Sequence, residues 1–172
     1  MQIEQVQQVK LLGVLFTPTL SASAHVEFVI ASMNQRLYLL NQLRRQGLDI
    51  AGLTTTFLTL VVAKFQYGLP AIAGLLSTAD INRVNAVFLK ARKWGLTRIV
   101  PEANDLIEKA DKKLFRVVLD PSHCLHSLLP FMRNTHGRCL RKRGHNFTLP
   151  LVRTELHKES FITRCLFKYS LV

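Results

Sequence analysis

Acidic side chains are the first groups in this sequence whose spacing suggests chemistry. The one cluster of acids is Glu102, Asp105, Glu108 and Asp111, which recur every three residues and so wind around a helix. Asp105 and Glu108 each lie four residues before a lysine, the spacing of helix surface pairs. Acids are favoured at a helix N-terminus, so the cluster is typical of a solvated helix face. The sequence has no Asp-Asp or Asp-x-Asp pair to share divalent cations. It therefore predicts no catalytic residue.

Cysteine and histidine supply a second group of interest. Cys124-x-His126 and His136-x-x-Cys139 have the chemistry for tetrahedral zinc, but their spacing matches no common zinc finger. The alternative is a buried Cys124 beside leucines, with the histidines in a basic loop. The sequence also has no glycine-rich phosphate loop and no Cys-His or Ser-His pair with an acidic orienter. We predict no metal and no cofactor on this chain.

A run of basic residues suggests binding rather than catalysis. Arg141, Lys142 and Arg143 follow Arg138 and precede Phe147, which combines charges for phosphate with a ring that can stack on a base. The alternatives are a solvated charge run and a localisation signal. The basic excess is local to this region, and this favours contact with nucleic acid.

The whole composition agrees with an anionic partner. The chain has 172 residues, with 23 Lys and Arg against 11 Asp and Glu, a formal net charge of +12. Such a surplus usually indicates a polyanion, since contacts with phosphate release counterions, and nucleic acid comes before an anionic membrane as the candidate. Three widely spaced cysteines and a polar segment at 1–10 predict a reducing compartment, nuclear or cytoplasmic.

Hydrophobic periodicity predicts a mainly α fold, a helical bundle with a short N-terminal β segment and a loosely structured basic C-terminal arm. The predicted domains are a strand remnant at 1–20, a helical domain at 21–130 and the arm at 131–172. The apolar run at 9–17 predicts a buried strand or a tight hairpin. The predicted helices run from Ser21 or Ser23 to Gly47, from Leu53 to Tyr67, from a capping signal at 77–80 to Gly95, and from Pro101 to about Val117.

The most apolar stretch, 53–76, is long enough to span a bilayer. It carries Lys64, Gln66 and Pro70, and a central lysine costs about 2.5–3.5 kcal/mol on insertion scales. We therefore predict a buried core helix and no stable membrane span.

Two predicted helices have a polar face opposite their apolar stripe. Because side chains three and four residues apart share a face, each set forms one stripe along its helix. The first helix carries Gln35, Tyr38, Gln42 and Arg45, and the third carries Arg83, Lys90 and Lys93.

Several short motifs occur in a collinear order. They are VKLLGV at 9–14, HV at 25–26, RLYLLNQLRR at 36–45, YGLPA at 67–71, LSTAD at 76–80, LP at 149–150, RT at 153–154 and SFI at 160–162. In this order they resemble the primer-grip strand, thumb helices and tail of a non-LTR retrotransposon (LINE-type) reverse transcriptase. The likeness covers most of the chain. Family members often carry Trp shortly after the proline, where this chain has Ala73.

The resemblance implies part of an RNA-directed DNA polymerase without its palm and fingers, because the paired aspartates of the palm have no counterpart here. We expect a chain that binds an RNA/DNA hybrid or primed template, joins the palm and fingers of a parent polymerase, and is not an enzyme alone. Recognition would depend on shape and phosphate charge. The expected contacts are Gln35, Tyr38, Gln42, Arg45, Arg83, Lys90, Lys93, Arg138, Arg141, Lys142 and Arg143.

Two alternatives stay open. One is a small helical interaction or membrane-associated protein, in which the segment 53–76 docks on a partner and the arm touches anionic lipid. The other is the product of a decayed element without a selected activity.

Overall fold

The structure, a computed structural model, describes residues 6–132 and 145–169. It is mainly helical, with one short antiparallel sheet near the N-terminus, as the sequence predicts. The chain separates into two compact units, residues 1–107 and 108–172. This division does not coincide with the domain boundaries expected after residues 20 and 130.

The N-terminal segment is a hairpin of β1 (Val9–Leu11) and β2 (Val14–Phe16), with Val9 opposite Phe16 and Leu11 opposite Val14. Leu12 and Gly13 form the two-residue turn, with φ angles of 47° and 85°. Positive φ at both positions is the geometry that matches the twist of paired strands. The hairpin is thus confirmed, whereas a buried strand is wrong for β1, all of which is exposed.

Helix α1 (Ser23–Arg45) forms the long side of the first unit. Val26, Val29, Met33, Leu37 and Leu40 are its buried stripe, as the period of the sequence predicts. Its N-cap residue is Ala22, whose side chain makes no capping bond, but the Ser21 hydroxyl accepts from the Ser23 N–H at 3.3 Å. The Ser23 hydroxyl itself donates to the Asp80 carboxylate at 3.2 Å. The chain turns away from the helix at Gly47, two residues after Arg45, where a φ of 95° favours glycine.

The second predicted helix is continuous but irregular. Helix α2 (Ile50–Thr56) is capped by Asp49, whose carboxylate accepts from the Gly52 N–H at 3.1 Å. A π-helical segment (Phe57–Val62) and α3 (Ala63–Gln66) continue it. The predicted break follows at Gly68, with a φ of 66°, before α4 (Leu69–Ile72) and a 3-10 turn (Ala73–Leu75).

Helix α5 (Thr78–Lys93) begins with the predicted capping box of Ser77 and Asp80. Its Phe88 ring packs edge-on against Phe57 and Phe65, with ring centroids 6.1 and 6.2 Å apart. These three rings are buried in the core of the first unit. Two hydrogen bonds join α1 to α5, one between Ser23 and Asp80 and one between Asn34 and Lys90. Since both partners advance in the same direction, α1 and α5 run parallel.

Helix α6 (Ala103–Val118) contains the division between the units. Within the second unit, Phe115 of α6 packs in a small core with Phe147, Cys165 and Leu166. The described part of the predicted arm includes α7 (Glu155–Glu159) and α8 (Phe161–Lys168). The apolar side of α8 holds this helix in the core, since Cys165 and Leu166 are fully buried.

Candidate nucleic-acid interface

The predicted polar stripe of α1 lies on the exposed side of the helix. Gln35, Tyr38 and Arg45 are exposed, the Tyr38 ring by 59%, and Gln42 is half-buried. These positions follow one another at helical spacing on the side away from the buried stripe of α1. The structure thus provides a ridge of amide, phenol and guanidinium groups that external phosphates and bases can reach.

The three predicted cations of α5 differ in their surroundings. Arg83 lies 3.6 Å from the Asp80 carboxylate and 3.9 Å from that of Glu27. Lys93 is exposed at the end of the helix. The ammonium of Lys90 donates to the Asn34 side chain at 2.9 Å and lies 4.7 Å from the centroid of the Trp94 ring.

These contacts separate the α5 cations by function. Lys90 is half-buried and Arg83 is next to two acids, so both already stabilise the pairing of α1 with α5. Of the three predicted α5 cations, Lys93 is the one that is exposed and forms no ion pair with a carboxylate of the described residues. The remaining predicted contacts, Arg138, Arg141, Lys142 and Arg143, lie outside the described residues.

A second basic cluster was not predicted. Lys10 of β1 and Lys64 of α3 lie over the ring of Phe28, and Arg36 of α1 lines a cleft together with Lys64. The Lys10 and Lys64 ammonium groups lie 4.9 and 5.1 Å from the centroid of the Phe28 ring. Burial, and then the positive charges of Arg36 and Lys10, lower the pKa of Lys64 below its usual value of 10.5. We call Lys10, Arg36 and Lys64 the basic triad.

A cleft of about 390 Å³ adjoins the triad. Arg36 and Lys64 line it together with Leu12, Gly13, Thr59, Ala63 and Tyr67. One signal for this site was present in the sequence, because Lys64 is the single charge of the apolar helix. The convergence of three distant elements was not visible there.

The cluster of acids needs one correction. Asp111 is not on a solvated helix face, since it is buried and accepts two hydrogen bonds from Arg164 at 2.6 and 3.0 Å. Glu108 pairs with Lys168 at 3.5 Å. Glu102 and Asp105 are exposed, as the sequence predicts. The acids therefore do not face a common point where metals would bind.

The described residues contain no group of three His, Cys, Asp or Glu that is suited to a metal ion. His126 Nδ1 lies 3.0 Å from the Val118 carbonyl, and Cys124 is an exposed thiol. His136 and Cys139 lie outside the described residues.

The predicted core helix has a second possible environment. Within the part of the chain that the structure describes, the helical stretch Ile50–Leu75 is the one long and apolar enough to cross a membrane by length and composition. Its inner side carries Leu53, Phe57, Val61, Val62 and Phe65, which are buried in the first unit.

No family model, curated protein or solved structure matches this chain.

Proposed function

We propose that this chain binds nucleic acid through phosphate contacts, as the thumb-like C-terminal part of a non-LTR retrotransposon reverse transcriptase. Two features support the proposal. The motifs occur in the order of that family, and the helices that carry them have exposed polar and basic side chains. The paired aspartates of a polymerase palm have no counterpart in this sequence. The chain therefore holds a primed template, and bond formation belongs to a palm outside it.

One observation carries most of this proposal: few of the cations are neutralised. Among the described residues, carboxylates form ion pairs with Arg83, Lys158, Arg164 and Lys168 only. Exposed cations without an acidic partner attract phosphate and release its counterions. Arg45 on α1 and Lys93 on α5 are of this kind.

The test is a salt titration of binding to a primed RNA/DNA hybrid, followed by fluorescence anisotropy. We expect the logarithm of the binding constant to fall linearly with the logarithm of the salt concentration, by about 0.9 per phosphate contact in a duplex. Replacing Arg45 and Lys93 by Gln removes two such contacts and lowers the slope by about 1.8. The hybrid is not extended on addition of magnesium and nucleotides.

The matched control removes two cations that acids already neutralise. Lys158→Gln with Lys168→Gln changes the net charge equally, but Lys158 pairs with Glu155 and Lys168 with Glu108. This control keeps most of the salt dependence. Binding that barely changes with salt contradicts the proposal, and equal losses in both variants contradict the placement of the interface on α1 and α5.

A second function, association with a membrane, is favoured by one observation, the length and composition of the stretch Ile50–Leu75. The buried aromatic and aliphatic side chains of the same stretch support a core helix instead. The two functions differ in the partner that they require, a lipid surface or a phosphodiester strand.

A further inference from the structure

The basic triad is a concentration of charge that no carboxylate of the described residues neutralises. No carboxylate of the described residues forms an ion pair with Lys10, Arg36 or Lys64. Arg36 donates to the Leu60 carbonyl, which is a neutral acceptor in the π-helical segment. The positive charges of Arg36 and Lys10 act on Lys64 and disfavour its charged form, so an anion that enters beside Lys64 relieves this repulsion.

One wall of the adjoining cleft is formed by the hairpin turn and the Tyr67 side chain. The Tyr67 hydroxyl donates to the Leu12 carbonyl at 2.8 Å, so the ring is held against the hairpin turn. A Cβ atom at Gly13 would lie 3.2 Å from the ring atom Cε1 of Tyr67, and the φ of Gly13 is also positive. Turn and ring therefore pack closely, and the positive φ favours glycine at position 13.

The lining combines charge with an aromatic surface. Arg36 and Lys64 provide donors for phosphate oxygens, and Lys10 adds its charge from β1. The Tyr67 side chain is 55% exposed, so part of its ring remains free to contact a sugar or a base. A volume of about 390 Å³ is at the small end of ligand pockets.

We infer that this cleft binds a phosphomonoester, the terminal phosphate of a nucleotide or of a nucleic-acid strand. Two cations that line the cleft, Arg36 and Lys64, with the charge of Lys10 acting on Lys64, favour a dianion over the single charge of a backbone phosphodiester. The cleft is a discrete saturable site, distinct from the exposed contacts of Arg45 and Lys93. It goes beyond the proposed function, since it selects one chemical group of a strand rather than its whole backbone.

The first experiment measures binding of a nucleoside 5′-monophosphate, the matching nucleoside and inorganic phosphate by calorimetry at constant ionic strength. We expect the monophosphate to bind about tenfold or more tightly than the nucleoside, with phosphate alone binding detectably. Equal binding of the monophosphate and the nucleoside overturns the inference.

Variants then locate the site. Lys64→Gln lowers the affinity for the monophosphate about tenfold or more, and Lys10→Gln, an exposed change on the hairpin, lowers it in the same direction. The control Lys158→Gln, in the second unit, leaves it unchanged. Circular dichroism confirms folding, and if Lys64→Gln is unfolded, Lys10→Gln decides. A loss that is equal in the control and the triad variants refutes the site.

A third comparison separates the sources of phosphate and also separates this inference from the proposed function. An oligonucleotide with a 5′-phosphate is compared with the same strand without it. Preference for the phosphorylated end, lost in Lys10→Gln, supports a strand terminus, while binding of the free nucleotide alone supports a mononucleotide. If the hybrid fails to bind but the monophosphate binds, the proposed function fails and the cleft stands. If the hybrid binds but the monophosphate does not, the inference about the cleft fails and the proposed function stands.

Discussion

The imidazole of His25 joins the hairpin to α1. Its Nδ1 atom accepts a hydrogen bond from the Leu15 N–H at 3.2 Å, which requires a neutral ring at this nitrogen. Burial, and then the charge of Lys64, lower the pKa of His25 below its usual value of 6.5. The unfolded chain therefore binds more protons at mildly acidic pH than the native protein. The contribution of neutral His25 to the stability is fully present above pH 6.5 and is lost as the pH decreases through the folded pKa.

The first prediction follows from this sign. In the wild type, the free energy of unfolding measured with urea decreases as the pH is lowered from about 7.5 to about 5. The protection factor of the Leu15 amide against hydrogen exchange decreases over the same range. His25→Gln is less stable at neutral pH, because it loses the bond to Leu15, but has a smaller dependence on pH in this range. An unchanged pH dependence in His25→Gln would assign the effect to another group.

Lys64 has a consequence of the same sign at the other end of the pH scale, because its lowered pKa also makes stability rise with pH. Its lowered pKa means that the charged form is less favourable in the folded protein than in the unfolded chain. We expect Lys64→Met, which keeps the aliphatic stem and removes the charge, to raise the melting temperature at neutral pH. The gain shrinks as the pH rises through the folded pKa of Lys64 and disappears above 10.5, where the wild-type lysine becomes neutral in both states. Lys93→Met, at an exposed position, serves as the control, and an equal gain there would contradict the role of the triad.

At the scale of elements, local chemistry made several boundaries predictable. The capping box of Ser77 and Asp80 and the left-handed Gly68 each depend on residues close together in the sequence. The π-helical segment was not predictable, because its residues Phe57–Val62 have the same apolar pattern as an ordinary helix. The short helices of the arm were missed for a related reason, since eight residues give little periodicity to detect.

The ion pair between α6 and α8 carries the next prediction. Arg164 contacts both oxygens of the buried Asp111, and its own side chain is 14% exposed. Asp111→Asn leaves a nearly buried cation without its counter-charge, and breaking such a pair costs on the order of 3–5 kcal/mol. Urea unfolding of the second unit measures this loss. The double variant Asp111→Leu with Arg164→Met loses less free energy of unfolding than Asp111→Asn alone, because it removes both charges.

A thiol in the same core offers an independent measurement. Burial, and then the charge of Asp111, raise the pKa of Cys165 to about 12, so its thiolate is scarce at neutral pH. Alkylation at neutral pH therefore modifies the exposed Cys124 first and Cys165 slowly. Asp111→Asn accelerates the reaction of Cys165 by opening the core. Protection that is unaffected by this substitution would show that the ion pair does not hold α8 in place.

At the scale of the whole molecule, the surplus of positive charge was readable from composition, but its distribution was not. The stripe of Gln35, Tyr38, Gln42 and Arg45 depends on one helix, and the structure places it where the helical period predicts. The basic triad depends on the packing of a strand and two helices, which no local pattern encodes. The hydrogen bond of Lys90 was not predictable for the same reason, since its partner Asn34 lies on α1.

The last prediction concerns the apolar stretch Ile50–Leu75. Its exposed positions are mostly alanine, threonine and glutamine, with Leu60 and Tyr67 the two exposed large side chains along them. A helix facing lipid would need large apolar residues there, and insertion would also expose Phe57 and Phe65 from their contacts with Phe88. We therefore expect the folded chain to stay with the dense fraction when it is floated with neutral vesicles.

Anionic vesicles distinguish charge from insertion. The net charge of +12 predicts co-flotation at low salt that is lost when salt is raised, because exposed lysine and arginine attract the lipid headgroups. Co-flotation with neutral vesicles, or retention on anionic ones at high salt, would mean that the stretch enters the bilayer. In that case the packing of α1 and α5 around Phe57 describes a state that the membrane replaces.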